Sequence, residues 1–252
     1  MTELPAGVVT FVFTDIESST RLWEQHPQAM RAALACHDAI LRLAIEAHDG
    51  VIFGTAGDAF YAVFSSAPAA LAAALAAQRA LCTQAWDEVG TLRVRMALHS
   101  GAAELRDGDY FGPPLNRVAR LLAAGHGGQT LLSLTTQELV RDHLPPGVAL
   151  RDLGEHHLKD LTQPEQIFQL IATDLPIDFP PLRIGADRGV DQHAQHPSQQ
   201  VAEGSVESMD YVWHQAKLPD MPGIDFDVVL EKDRQLNRRR RTRKRNEPDG
   251  FF

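Results

Sequence analysis

The residues of this chain best placed to do chemistry are acids that stand where strands end. Val8, Val9, Phe11, Val12 and Phe13 form an apolar run that reaches Asp15 and passes straight into Ser18-Ser19-Thr20, residue types that start helices. A carboxylate at a strand end can hold a divalent cation. The Ser18, Ser19 and Thr20 amides at a helix start would turn unpaired N–H groups and positive dipole toward an anion. Metal plus anion suits a metal-bound phosphate. An Asp between a strand and a helix also serves as a cap or turn former, and this motif alone leaves both readings open.

A second acid, Asp58, closes the run Gly54-Thr-Ala-Gly-Asp. The flanking segments, Gly50 to Phe53 and Ala59 to Phe64, read as two strands of a hairpin with Asp58 at its tip. If they flank the strand that carries Asp15, both carboxylates converge at one sheet edge. Two cations held there would bridge phosphate oxygens and stabilise the attacking and leaving oxygens of a phosphoryl transfer. A plain Gly-Asp turn is the alternative.

The third motif runs from Asp107 to Leu122, Asp-Gly-Asp-Tyr-Phe-Gly-Pro-Pro-Leu-Asn-Arg-Val-Ala-Arg-Leu-Leu. Pro113 and Pro114 suit a loop and the first turn of a helix. Leu115, Val118, Ala119 and Leu122 give that helix an apolar face. Asn116 and Arg120 are four apart and project from one face about a turn apart. An amide and a guanidinium held together can meet a ribose oxygen and a phosphate, and Arg120 becomes a candidate for stabilising transition-state charge.

By the order and spacing of these motifs over about residues 6 to 172, the chain resembles the class III nucleotidyl cyclases, adenylate and guanylate cyclases among them. It is most similar to the bacterial cyclase domains that precede a regulatory ATPase. The resemblance implies a ferredoxin-like α+β domain and a reaction in which a ribose 3′-hydroxyl attacks the α-phosphate of a nucleoside triphosphate and expels pyrophosphate. It implies two divalent cations, Mg²⁺ or Mn²⁺, on Asp15 and Asp58, with the Ile16 carbonyl adding to the coordination. Asn116 matches the residue that orients the ribose, and Arg120 the one that stabilises the pentavalent phosphorus. Lys159, in His-His-Leu-Lys-Asp-Leu, matches a lysine on the triphosphate; a solvated turn lysine is the alternative. The family also implies a homodimer whose active sites take the metal ligands from one chain and Asn/Arg from the other.

One position departs from the family pattern. Where a lysine commonly reads the adenine ring, this chain has Gly54, while Asp109 matches the partner that accepts from the adenine amino group. Half of the base-reading pair is therefore missing. An Asp acceptor still suits adenine's amino group, or guanine's if the base shifts; losing a charged hydrogen bond would cost on the order of 1.5–3 kcal/mol of selection, and ATP is expected over GTP with weakened discrimination.

These residues need a scaffold, and the pattern supplies one. Strands are expected over 8–13, 50–64 (as a hairpin), 92–99, 102–105, 129–133, 148–153 and 166–171, with helices over 18–25, 27–48, 67–85, 114–124 and 135–141. Helices interleaved with hairpins indicate an α+β domain with its helices on one face of the sheet. The chain has 252 residues, 44% of them hydrophobic, enough for one core domain and a tail. Cys36 and Cys82 both fall in alanine- and leucine-rich helical stretches, which favours buried thiols and a reducing compartment. No apolar run has the length of a membrane span, so a cytoplasmic location without membrane association is expected. The net charge of −9 gives no general pull toward nucleic acid.

After Ala172 the composition changes. Residues 173–252 read as a proline-set linker to Leu182, then a polar, aperiodic tail from Arg183 that is expected to be disordered and dispensable. The basic run at 238–245 suits nucleic acid, an acidic surface, or solvent. Three function classes follow: a cyclase, a nucleotide-binding regulatory module of the same fold that has lost turnover, and a nucleic-acid binder acting through the tail.

Overall fold

The computed structural model describes residues 4–184 apart from Asp107. The first strand, β1 (Val8–Ile16), is built almost wholly of β-branched and aromatic residues. Helices α1 (Ser19–Gln25) and α2 (Pro27–Ala47) follow, the second started by a proline in its first turn. The hairpin β2 (Val51–Ala56) and β3 (Ala59–Phe64) leads to α3 (Ala67–Thr83), whose N-cap Ser66 accepts a hydrogen bond from the Ala69 amide. Then come β4 (Val94–Ala102), a small hairpin of β5 (Glu104–Arg106) and β6 (Asp109–Phe111), and α4 (Pro113–Ala124). The domain closes with β7 (Thr130–Ser133), α5 (Leu134–Val140), β8 (Val148–His156) and β9 (Glu165–Ala172).

Seven strands form one sheet in the order β2-β3-β1-β4-β7-β9-β8, while β5 and β6 pair apart from it. The β2-β3-β1-β4 part is the expected ferredoxin-like arrangement, antiparallel throughout. The β4–β7 pairing is parallel, so the whole sheet is mixed.

The expectation of helices on one face needs correction. Phe11 and Phe13 of β1, with Val63 and Ala97, pack in one cluster with Val118 and Leu121 of α4. On the opposite face Phe60 meets His37 of α2 edge to face, ring centroids 5.9 Å apart, and Gln78 of α3 donates to the Val94 carbonyl at 2.9 Å. The reason is legible in β1, which is buried at Val9, Phe11 and Phe13 and equally at Val12 and Ile16. A strand without polar alternation is covered on both sides. Each such phenylalanine, fully removed from water, contributes about 1.5–3 kcal/mol.

Two boundaries matter for function. The first strand runs to Ile16 instead of stopping at 13, because β4 continues to pair with it through Thr14–Met96, Asp15–Arg95 and Ile16–Val94. Asp15 is therefore a strand residue with a fixed neighbour. The third motif also contains the unexpected short strand β6, which carries Asp109.

The segment after Ala172 was expected to leave the domain, yet residues 173–184 lie along it. Arg79 grips Asp174 through two nitrogens, at 2.6 and 3.0 Å. Gln169 and Arg151 both donate to the Ile177 carbonyl, at 2.8 and 3.0 Å. The Arg183 amide donates to the Ala124 carbonyl at 2.9 Å, and Leu182 and Ile184 pack against the core. Prolines in this stretch set an extended backbone whose carbonyls are free to accept, which is how a linker-like composition becomes a strap. Arg183, expected as the first residue of a dispensable tail, belongs to the domain. The rest of that tail, including 238–245, lies outside the described residues. Cys36 is buried as expected, whereas Cys82 is exposed. Among the described residues no helix is long and apolar enough to cross a membrane.

Candidate active site

The two expected metal acids stand together at one end of the sheet. Asp58 follows Gly57 at the tip of the β2–β3 hairpin, where Gly57 takes φ +60°, a left-handed conformation that glycine adopts freely. The Asp58 Oδ2 accepts the Ile16 amide at 2.7 Å, which ties the hairpin tip to β1 beside Asp15. Asp15 is engaged differently. Its two carboxylate oxygens accept from Arg95 Nε and Nη2 at 2.6 and 2.5 Å, a bidentate pair across the β1–β4 ladder.

Electrostatics reflect this crowding. Burial lifts the Asp15 carboxyl above its ordinary range; Arg95 opposes the shift by charge and hydrogen bond, Asp58 adds to it, and Arg183 draws it down. The phenol of Tyr61, on the strand beside β1, is likewise raised by burial and by the charges of Asp15 and Asp58. Two carboxylates stand beside each other here, one of them held by Arg95, and their oxygens suit Mg²⁺ or Mn²⁺. Among the described residues no group of three or more His, Cys, Asp or Glu side chains is arranged to hold a metal ion. Two carboxylates with remaining positions for backbone, water and phosphate oxygens is how Mg²⁺ is commonly held, so the donor set fits such ions.

Ser18, Ser19 and Thr20 lie just beyond. Ser18 caps α1 with φ 59° and without a side-chain cap bond, so the backbone turns sharply between the acid and the helix. Glu17, which sequence reading passed over, is anchored there: its amide donates to the Arg93 carbonyl at 2.9 Å and its carboxylate meets Arg183.

The other expected residues gather elsewhere. Asn116 is exposed and Arg120 half-buried on α4, and Arg120 Nη2 donates to Asp160 Oδ2 at 2.5 Å. Lys159, exposed, is the neighbour of Asp160 in the chain, so the β8–β9 connection places both cationic residues in one region. Arg117, not singled out in the sequence, pairs with the buried Glu165 at 3.0 Å, a carboxyl that burial raises against the pull of Arg117. Asp109 is half-buried on β6, its Oδ1 accepting the Tyr110 amide at 2.8 Å. Gly54 sits in β2 opposite Tyr61, just past a register shift between Ile52 and Gly54. The structure thus brings Asp15, Ile16 and Asp58 together, and groups Arg120 with the Lys159–Asp160 turn.

Arg95 is the chief omission of the sequence reading. Its signal was present: Arg95 stands in the largely apolar run Val94-Arg-Met-Ala-Leu, and a charge in such a strand needs a partner.

A family model described as the adenylate and guanylate cyclase catalytic domain matches residues 2–172. An uncharacterized protein of Mycobacterium tuberculosis is 42% identical over 181 residues, 71% of this chain and 61% of that one. The chain thus spans well under two thirds of that relative's length. The adenylate cyclase of Schizosaccharomyces pombe is 32% identical over 208 residues, 65% of this chain and 12% of the yeast protein. Among solved structures, an adenylate cyclase of Trypanosoma brucei in its monomeric state superposes with a TM-score of 0.65 at 27% identity, covering 73% of this chain and 97% of that one.

Proposed function

This chain belongs to the adenylate and guanylate cyclase catalytic domain family, and we propose that it converts a nucleoside triphosphate, ATP in preference to GTP, into the 3′,5′-cyclic nucleotide and pyrophosphate. The observation that carries the reading is the meeting of Asp15 and Asp58 at one sheet end, tied through Ile16. Asp15 and Asp58 would hold two divalent ions, with the Ile16 carbonyl completing the set. When bound, such ions neutralise the triphosphate and activate the 3′-oxygen. The 3′-oxygen forms a bond to the α-phosphorus as the bond to the bridging oxygen breaks; the hydroxyl proton leaves to water and the electron pair leaves with pyrophosphate.

On this reading Arg120 stabilises charge on the α-phosphoryl oxygens, Asn116 orients the ribose, and Lys159 meets the outer phosphates. The amides of Ser18, Ser19 and Thr20 face the phosphates as donors. Asp109 accepts from the base amino group, and Gly54 leaves the other side of the base without a donor. The acids are anchored to β1 and β4 and Arg120 to the β8–β9 connection, and on this reading a homodimer places each site at its interface, the acids from one chain and Asn116 and Arg120 from the other. Residues 6–172 form the catalytic domain, extended by the strap to 184, and the product would serve intracellular signalling. The likeness to the yeast adenylate cyclase favours ATP.

The test is direct. Purified full-length protein incubated with ATP or GTP in Mn²⁺ or Mg²⁺ should yield cyclic nucleotide by mass spectrometry, and Asp15→Ala and Asp58→Ala should each abolish it while keeping the native circular dichroism. Undiminished activity in both variants would overturn the metal assignment. A second reading, a nucleotide-binding regulatory module without turnover, is favoured by Gly54 and by the engagement of Asp15 with Arg95; nucleotide binding without product identifies it.

A further inference from the structure

We propose that Arg183, in the strap that follows β9, is a positioning residue that holds the metal-bearing turn through Glu17, so that the strap is mechanically joined to the active site. This rests on the reading of Asp15 and Asp58 as metal ligands.

Glu17 stands between Ile16, whose amide holds Asp58, and Ser18, whose left-handed backbone starts α1. Whatever fixes Glu17 therefore helps set the turn between the strand that carries Asp15 and the start of α1. Three contacts do so. The Glu17 amide donates to the Arg93 carbonyl at 2.9 Å, just before the strand that carries Arg95. The Glu17 carboxylate accepts the Arg183 guanidinium and lies close against the Gly127 backbone, which helps lower its pKa. Position 127 is shaped for this: a Cβ there would lie 2.8 Å from Glu17 Oε2, 2.9 Å from Glu17 Cβ and 2.6 Å from Arg93 Cβ. Only glycine leaves room for the carboxylate so close to the backbone there.

Arg183 is itself located by its backbone. Its amide donates to the Ala124 carbonyl at the end of α4, and Leu182 and Ile184 on either side pack against the core. Upstream, the strap is tied by Asp174 to Arg79 and by the Ile177 carbonyl to Gln169. A guanidinium delivered from so fixed a backbone is a support for Glu17, as the partners behind metal ligands commonly are. Of the three contacts, only that of Arg183 comes from the strap.

The sign of the effect separates positioning from charge. Arg183 carries a positive charge that reaches Asp15, so removing it would by itself favour a cation there. Loosening of the turn does the opposite. In the full-length, nucleotide-free protein, Arg183→Ala should raise the Mn²⁺ dissociation constant, followed by electron paramagnetic resonance, by about tenfold. Amides 16–20 should exchange with deuterium correspondingly faster. Arg183→Lys, which keeps the charge and part of the reach, should recover much of both, and Glu17→Gln should show the same exchange change from the other side. Unchanged or tighter Mn²⁺ binding in Arg183→Ala, or exchange at 16–20 unaltered in both alanine and glutamine variants, overturns the proposal. If Mn²⁺ binding of the wild type proves indifferent to Asp15→Ala, the metal reading fails instead, and the exchange comparison still decides whether Arg183 holds the turn.

Discussion

Arg95 and Asp15 face each other across adjacent strands in a bidentate pair, with nitrogen–oxygen distances of 2.6 and 2.5 Å, each side chain about one fifth to one quarter exposed. Their register partnership makes the contact a property of the sheet. A cation on Asp15 must share or displace that guanidinium. Charged hydrogen bonds of this kind are worth about 1.5–3 kcal/mol, so Arg95→Met should tighten Mn²⁺ binding to the nucleotide-free protein by roughly tenfold or more. Equilibrium titration of the variant beside wild type and Asp15→Ala reads this directly. Equal affinities in wild type and Arg95→Met would show that the pair does not compete with the ion.

The reading of a shared interfacial site predicts complementation between chains. Asp58 is tied to β1 at the hairpin end, whereas Arg120 is held on α4 by Asp160. If each site of a twofold dimer draws one group from each protomer, Asp58→Ala and Arg120→Ala are inactive alone, and a mixture regains activity. Equal mixing gives half heterodimers with one intact site each, about a quarter of wild-type activity. Absence of recovery in a mixture shown to form heterodimers would argue for sites built within one chain.

What the sequence disclosed and what it hid have separate physical causes. Asp15, Asp58 and the Asn116–Arg120 helix were legible because local signals mark them: an acid after an apolar run, a Gly-Asp hairpin tip, a proline-started amphipathic helix. Arg95 was not, because its importance comes from register, and pairing between strands 80 residues apart is a long-range property. The strap was misread for a related reason. Residues 173–184 have the composition of a linker, and what orders them is a set of partners, Arg79, Gln169 and Ala124, scattered through the fold. The two-sided cover of β1 could have been read from its lack of polar alternation, and the expectation of helices on one face overlooked it.

Gly54 offers a test of base selection. It lies in β2 with Tyr61 opposite, at the level of the hairpin that ends in Asp58. Placing a donor there should add a hydrogen bond to one base and not the other, and a site built to bond a polar group discriminates strongly. Gly54→Lys is expected to raise the ATP over GTP ratio of kcat/KM by about tenfold, the scale of a charged hydrogen bond. An unchanged ratio in a folded, active variant would mean that position 54 does not face the base.

His99 should make the stability of this domain depend on pH. It stands on β4, 4% exposed, with Nδ1 at 2.8 Å from the Ser133 hydroxyl. Burial, aided by the charge of Arg117, lowers its pKa to about 4. The unfolded chain, with an ordinary histidine near 6.5, binds the proton more readily. The contribution is therefore complete above about pH 6.5 and is lost as pH falls from there toward 4. Between pH 7 and pH 5 the loss amounts to about 2 kcal/mol. His99→Asn retains an acceptor for Ser133 and removes the titration, so urea unfolding at the two pH values should show a smaller drop in the variant by that amount. Asp15 and Glu165, whose carboxyls burial raises, titrate in the opposite sense in both proteins and cancel in the comparison. An equal drop in both would place the proton uptake elsewhere than His99.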